Sequence, residues 1–269
     1  MLSPTRRTSF NSSEQNEPLN LLHLISLGEP KASAISKHDL LSAISFDYTG
    51  DILSVGDRGG RIILFERIKD DDGQTCFDYL TEFQAHAKGF DVLNSQDVPE
   101  CVQSIEWVNH SKTPSPSLLV SSARNVKLFA VREKNILKQV TACKSLEKKK
   151  GLVIPKPKVV NTSKQGKLLA TYKSCKEERL HSLTMGPDME SFITADESRV
   201  DLWSIEKTRD EVYNLVDYER RNPEHHDERV MCAEFNKSSG FTFLYTTSTG
   251  KINICDLREK SDFHSRPSV

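Results

Sequence analysis

Four stretches of the chain carry one residue pattern, and nothing else in the sequence restricts the fold as tightly. LSAISF (Leu41–Phe46), VQSIEW (Val102–Trp107), LHSLTM (Leu180–Met185) and VMCAEF (Val230–Phe235) are short runs ending on a large apolar residue, with small or polar residues interleaved. Each is followed by a second signature: GGRIILFER, RNVKLFAVR, SRVDLWSIE and GKINICDLR. Phe46 to Phe65 is 19 positions, Trp107 to Phe129 is 22, Met185 to Trp203 is 18 and Phe235 to Cys255 is 20. A middle run lies inside every unit: DILSVGD, SLLVSSA, ESFITADE and FTFLYTTS. Apolar residues alternate within these runs, as half-buried strands require.

The repeated unit is strand, turn, strand, turn, strand. One such unit cannot cover both faces of its own small sheet, so neighbouring units must stack on it. Leu202–Trp203 and Cys255–Asp256 fall where WD-repeat units close, the latter as a partial match to the WD dipeptide. This predicts an all-β WD-repeat β-propeller. A sandwich of irregular hairpins is the alternative, but it has no need of one closing motif four times. The predicted organisation is an N-terminal tail over residues 1–39, Ser/Asn-rich and partly disordered, and a partial propeller over residues 40–269.

GDRGG, within the first unit, poses the question of phosphate binding. A phosphate cradle needs a helix N-terminus behind its glycines, whereas GRIILFE is a β-rich run. Gly59 and Gly60 suit a tight hairpin with positive φ, so the stretch is predicted to be a turn.

Charge is balanced overall, 37 Lys+Arg against 38 Asp+Glu, which announces neither a nucleic-acid nor a membrane partner. The balance is uneven along the chain: residues 132–167 hold eleven Lys/Arg and two Glu. That basic segment is read as an insertion between blades, an extended arm or hairpin through LEKKKGLVIPKPKVV. Its plain reading is a solvated Lys-rich loop; a nuclear-import or nucleic-acid patch is the other, weakened because no aromatic residue is present to stack bases. The six cysteines show no C-x-x-C pair, no nearby histidine at ligand spacing and no export signal. They are expected to be reduced thiols in a cytosolic or nuclear protein, with no metal and no cofactor. Without H-E-x-x-H, G-x-S-x-G or a P-loop, no enzyme is expected. No apolar run reaches the length of a membrane span.

Several stretches are more specific than any propeller demands. DRGGRIILFER, TEFQAHAKGFDVLNSQDVPECVQSIEW, NVKLF, SFITADESRVDLW, YNLVD and AEF occur in that order. In order and wording the chain resembles the B-type (55 kDa) WD-repeat regulatory subunits of protein phosphatase 2A, closely over Leu40–Phe129 and moderately over Leu180–Leu257. The resemblance implies about four blades of a seven-bladed propeller. It also implies a non-catalytic subunit that joins the phosphatase scaffold (A) and catalytic (C) subunits in a heterotrimer and recruits phosphoprotein substrates. The alternative is a WD-repeat interaction scaffold that no longer binds the phosphatase.

Site residues follow from the same comparison. Asp196 and Glu197, in TADESRVDLW, match acids that attract basic substrate motifs; paired acids in a turn concentrate negative potential. Their plain reading is a turn whose carboxylates are solvated or bond their own backbone. Phe90, in HAKGFDVL, is expected to be an exposed partner contact or a residue folded over a blade edge. Arg58, inside GDRGG, is either a partner-facing cation or a solvated turn residue. Lys148, Lys149, Lys150, Lys156 and Lys158 of the insertion are candidates for scaffold contact. His225 and His226 stand where the family carries an apolar segment; they are read as a solvated loop.

Overall fold

A computed structural model of the chain describes residues 36–259, apart from residues 70–72, 74, 92, 94, 99, 110–114, 139–157, 174–178, 207–211 and 219–227. The tail predicted for residues 1–39 lies almost wholly outside the described residues.

The described chain is nearly all strand and folds as a partial propeller of four blades. Blade 1 is an antiparallel meander of β1 (Leu41–Phe46), β2 (Ile52–Asp57), β3 (Arg61–Lys69) and β4 (Thr75–Gln84). Blade 2 contains β7 (Ser104–Val108), β8 (Ser117–Ser121), β9 (Asn125–Lys138) and β10 (Lys158–Lys173). Blade 3 contains β11 (Ser182–Met185), β12 (Ser191–Ala195), β13 (Arg199–Ser204) and β14 (Val212–Asp217). Blade 4 has three described strands, β15 (Val230–Phe235), β16 (Thr242–Thr247) and β17 (Ile252–Asp256). A small hairpin of β5 (Gly89–Asp91) and β6 (Gln96–Val98) lies between blades 1 and 2.

Register puts equivalent residues of the repeat in equivalent places. Phe46 pairs with Leu53 and Leu53 with Phe65; Trp107 pairs with Leu118 and Leu118 with Phe129. Met185, Phe192 and Trp203 form the same row in blade 3, and Phe235, Phe243 and Cys255 in blade 4. From blade 2 onward this row packs against the opposite face of the blade before it. Trp107, Leu118 and Phe129 meet Ile62 and Leu64 of blade 1. Met185, Phe192 and Trp203 meet Val126 and Leu128 of blade 2. Phe235 and Phe243 meet Ile193 and Val200 of blade 3. Three cores therefore sit in three seams, each sealed by apolar burial worth about 2 kcal/mol per large side chain.

Each seam is also pinned by one backbone hydrogen bond of the same kind. The amides of Val102, Leu180 and Val230 donate to the carbonyls of Asp57, Ala123 and Glu197, at 3.1, 2.8 and 2.8 Å. Polar side chains reinforce the seams: Trp107 Nε1 donates to Ser54 Oγ at 3.1 Å, and Ser182 Oγ donates to the Ala233 carbonyl at 2.8 Å.

The basic segment departs from the expected place between blades. Residues 132–138 extend β9 and residues 158–167 open β10, so the described parts of the segment lie within blade 2, paired with each other. The reason is the pairing itself: Lys158–Lys173 runs antiparallel along Asn125–Lys138, so each extension is held by its partner strand. The hairpin reaches over blade 1, where Thr81 Oγ1 donates to the Lys164 carbonyl at 2.7 Å. Gly166 is required there, because a Cβ would lie 2.5 Å from the Phe83 ring.

Candidate partner-binding face

The turns joining the second and third strand of each blade lie at one end of the sheets, beside the segments that enter the following blade. Their geometry explains which sequence candidates can meet a partner. In GDRGG, Asp57 is buried and its Oδ1 accepts from the Arg61 amide at 2.8 Å, while Oδ2 accepts from Arg61 Nε at 2.7 Å. The carboxylate holds the Arg61 guanidinium above its ordinary range, and Asp39 adds a second ion pair. Gly60 has φ +81°, and a Cβ there would meet the Glu100 carbonyl at 2.6 Å and the His86 carbonyl at 2.7 Å. Gly60 thus serves the hairpin and the approach of the next segment, whereas Gly59, expected to share the positive φ, does not have it. Arg58 projects from this turn as an exposed side chain, with its amide donating to the Leu40 carbonyl at 2.9 Å.

The paired acids of blade 3 separate. Asp196 is buried: its Oδ1 accepts from the Ser198 amide at 2.9 Å and the Arg199 amide at 2.6 Å. It staples its own turn as Asp57 does in blade 1, so the expectation that it presents its charge to a partner is corrected. Glu197, one residue on, is exposed and accepts from Arg229 Nη1 at 2.8 Å. The described surface here is a mixed-charge pair in place of two adjoining acids. Blade 4 continues the band. Glu228 accepts from Thr247 Oγ1 at 2.8 Å and Thr249 Oγ1 at 2.7 Å and pairs with Lys251, and hydroxyl and ammonium donors hold its carboxyl below the usual range despite burial acting the other way.

Phe90 stands on β5, opposite Asp97 of β6, and is exposed together with Leu93 and Val98 of the same small hairpin. It does not fold back over the blade edge. The histidine of the same block, His86, does the opposite. It is fully buried, and burial, aided by the Lys127 charge, lowers its pKa to about 4. Lys127 itself donates to the Ala85 carbonyl at 2.9 Å.

Lys148, Lys149, Lys150 and Lys156 lie outside the described residues, as do His225 and His226. Lys158 opens β10 in register with Lys138. The structure therefore brings Glu197, Arg229, Glu228 and Lys251 together and leaves Arg58 and Phe90 elsewhere on blade 1 and its neighbouring hairpin. Arg229 and Glu228 were not singled out as site residues; their signal is positional, since both immediately precede the first-strand motif of blade 4. Among the described residues no three His, Cys, Asp or Glu side chains are grouped to hold a metal ion, and no helix is long and apolar enough to cross a membrane.

The chain is similar to the B-type regulatory subunit of protein phosphatase PP2A from Candida tropicalis, 31% identical over 243 residues that make up 86% of this chain and 47% of that protein. The corresponding PP2A regulatory subunit of Schizosaccharomyces pombe is 31% identical over 242 residues, 84% of this chain and 50% of that one. The B gamma isoform of the 55 kDa regulatory subunit of serine/threonine-protein phosphatase 2A from Mus musculus is 27% identical over 247 residues, 87% and 55% of the two chains. The chain thus spans about half the length of the curated relatives it matches. No protein-family profile matches it. Among solved structures, the β-propeller domain of Myceliophteria thermophila Cps50 (Swd1) aligns with a TM-score of 0.48 at 13% identity, over 82% of this chain and 54% of that one. With its four-blade repeat, the chain is thus similar over 84–87% of its length to proteins named as B-type (55 kDa) regulatory subunits of protein phosphatase 2A.

Proposed function

We propose that the chain is a non-catalytic regulatory subunit that docks on the phosphatase scaffold and recruits phosphoprotein substrates to the catalytic subunit. The observation that carries this reading is the relatedness to regulatory subunits of that phosphatase over 84–87% of the chain. Recruitment is assigned to the band of inter-strand turns, with Glu197 meeting basic side chains of a substrate and Arg58 meeting acidic groups. Phe90 supplies an apolar anchor, because an exposed aromatic on a short hairpin buries large area at low entropic cost. The Lys-rich arm, including Lys148, Lys149, Lys150, Lys156 and Lys158, is assigned to the scaffold, and the site of action to the cytoplasm and nucleus. Neither nucleic acid nor membrane is part of the proposal, and the chain contributes no catalytic group.

Affinity purification of the full 269-residue chain from cells, with immunodetection of the scaffold and catalytic subunits, tests this. Co-purification of both is expected; a folded chain that brings down neither refutes it.

The pairing of Glu197 with Arg229 favours a second reading, a WD-repeat interaction scaffold without the phosphatase. A neutralised acid attracts basic substrates less than two free ones would. The same purification separates the two, since the scaffold reading expects other proteins and no phosphatase subunit.

A further inference from the structure

Two neighbouring seams repeat one arrangement of backbone and differ in charge. Arg229 stands immediately before Val230, whose amide is pinned to the Glu197 carbonyl, and its guanidinium meets the Glu197 carboxylate. Arg179 holds the same place one seam earlier, immediately before Leu180, whose amide is pinned to the Ala123 carbonyl. Here an alanine stands where Glu197 stands in the next blade, and the residue that follows it in the turn is Arg124. Arg179 finds no acid on that turn, and its Nη2 donates instead to the uncharged Oε1 of Gln103 at 3.1 Å.

Gln103 ties this pair to the turn of blade 1. It follows Val102, whose amide donates to the Asp57 carbonyl, and Asp57 immediately precedes Arg58. Arg58, Arg124 and Arg179 are thus carried on adjoining segments over the two seams that flank blade 2, and all three are exposed. The acids of these segments are engaged elsewhere. Asp57 and Asp39 hold Arg61, Glu100 accepts from Ser122 Oγ at 2.5 Å, and Glu197 is held by Arg229. Among the described residues no carboxylate pairs with Arg58, Arg124 or Arg179. Cations gathered without a counter-charge attract an anion that can meet them together.

We propose that Arg58, Arg124 and Arg179 form a docking site for a phosphorylated side chain on a peptide segment. A phosphate monoester carries close to two negative charges and three acceptor oxygens, which suits three guanidiniums better than the single charge of a carboxylate. Guanidinium forks bond such oxygens bidentately, and arginine clusters are a recurring means of phosphopeptide recognition. The site takes the opposite charge from the one assigned to Glu197, so a segment lying along both turns would be phosphorylated at one end and basic at the other. The inference does not rest on the phosphatase reading, because every residue of the site belongs to this chain.

Fluorescence anisotropy of the full chain with a labelled Gly/Ser peptide bearing a single phosphothreonine tests this. The phosphopeptide is expected to bind, and the same peptide with threonine or glutamate at that position to bind far more weakly. Arg124→Ala and Arg179→Ala alter exposed side chains, so each is expected to keep its circular dichroism spectrum and to lose roughly tenfold in phosphopeptide affinity, the value of a hydrogen bond to a charged group. Lys69→Ala removes an exposed cation at the far end of β3 from this turn and is expected to bind as the parent chain does. A parent chain that does not bind the phosphopeptide overturns the proposal, as does equal binding of the threonine or glutamate peptide. So does an affinity that Arg124→Ala and Arg179→Ala leave unchanged, which marks a different surface. A loss as large with Lys69→Ala marks attraction to overall charge and also overturns it.

Discussion

Arg229 reaches across the seam between blades 3 and 4 to Glu197, Nη1 to Oε2 at 2.8 Å, although the two residues lie 32 positions apart. Both side chains are more than half exposed, so the pair contributes well under about 1 kcal/mol to stability. In the recruiting role proposed for Glu197, the pair sets how much negative potential the acid offers.

Arg229→Ala is therefore expected to leave the unfolding midpoint nearly unchanged and to tighten binding of a Lys/Arg-rich peptide roughly two- to fivefold, in line with the value of an exposed ion pair. Glu197→Lys abolishes that binding. Fluorescence anisotropy at two salt concentrations checks both, since the gain must shrink as salt screens it. Equal affinity in all three proteins removes Glu197 from the recruiting face.

Asp196 behaves differently from its neighbour. Asp196→Ala leaves the Ser198 and Arg199 amides without their acceptor and is expected to cost about 2–3 kcal/mol. Asp196→Asn keeps an oxygen in place and costs less. Glu197→Ala, at the surface, changes stability by less than about 0.5 kcal/mol. Urea denaturation of the three variants gives the ranking.

Two glycines separate backbone strain from crowding. Gly50 has φ +73° with nothing within 4 Å of a Cβ, whereas Gly60 has φ +81° with two carbonyls closer than 3 Å. Gly50→Ala is expected to cost about 1 kcal/mol from conformation alone. Gly60→Ala costs more, on the order of 2–4 kcal/mol, because the segment carrying His86 and Glu100 must move. Equal losses in a thermal melt contradict the close approach.

Acidification is expected to weaken the fold through His86. Above its ordinary pKa of 6.5 the imidazole is neutral in both states and contributes nothing. Between 6.5 and the folded value of about 4 the unfolded chain takes up a proton that the folded chain refuses. Stability therefore falls as pH drops through that window, by up to roughly 2–3 kcal/mol at pH 4. His86→Asn flattens this part of a stability-against-pH curve obtained by denaturant titration.

Much of the architecture was legible because propeller blades repeat in sequence. The spacing of Phe46 to Phe65 and its three counterparts located all four sheets, and the β-rich run after GDRGG ruled out a helix there. The fourth strands were harder to see. β9 and β10 pair across a long basic segment, and strand pairing of that range depends on the partner strand more than on local composition. Side-chain direction was beyond reach at the acidic turn. Asp196 and Glu197 look alike in sequence, yet a hydrogen bond from the Arg199 amide turns one inward while the other meets Arg229. Nor does any local signal distinguish a buried His86 from an exposed Phe90 four residues later.

The arm of blade 2 has a consequence for synthesis of the chain. Thr81 finds its acceptor on Lys164, 83 positions later, and the Phe83 ring is covered by the backbone at Gly166. At roughly 5–20 residues per second, translation leaves the outer strand of blade 1 uncovered for about 4–17 s after it is made. Blade 1 leaves the ribosome before blade 2, yet it is not finished first. During that interval the growing chain presents apolar surface to whatever holds nascent proteins, and the earlier sheet waits for the later one to supply its cover.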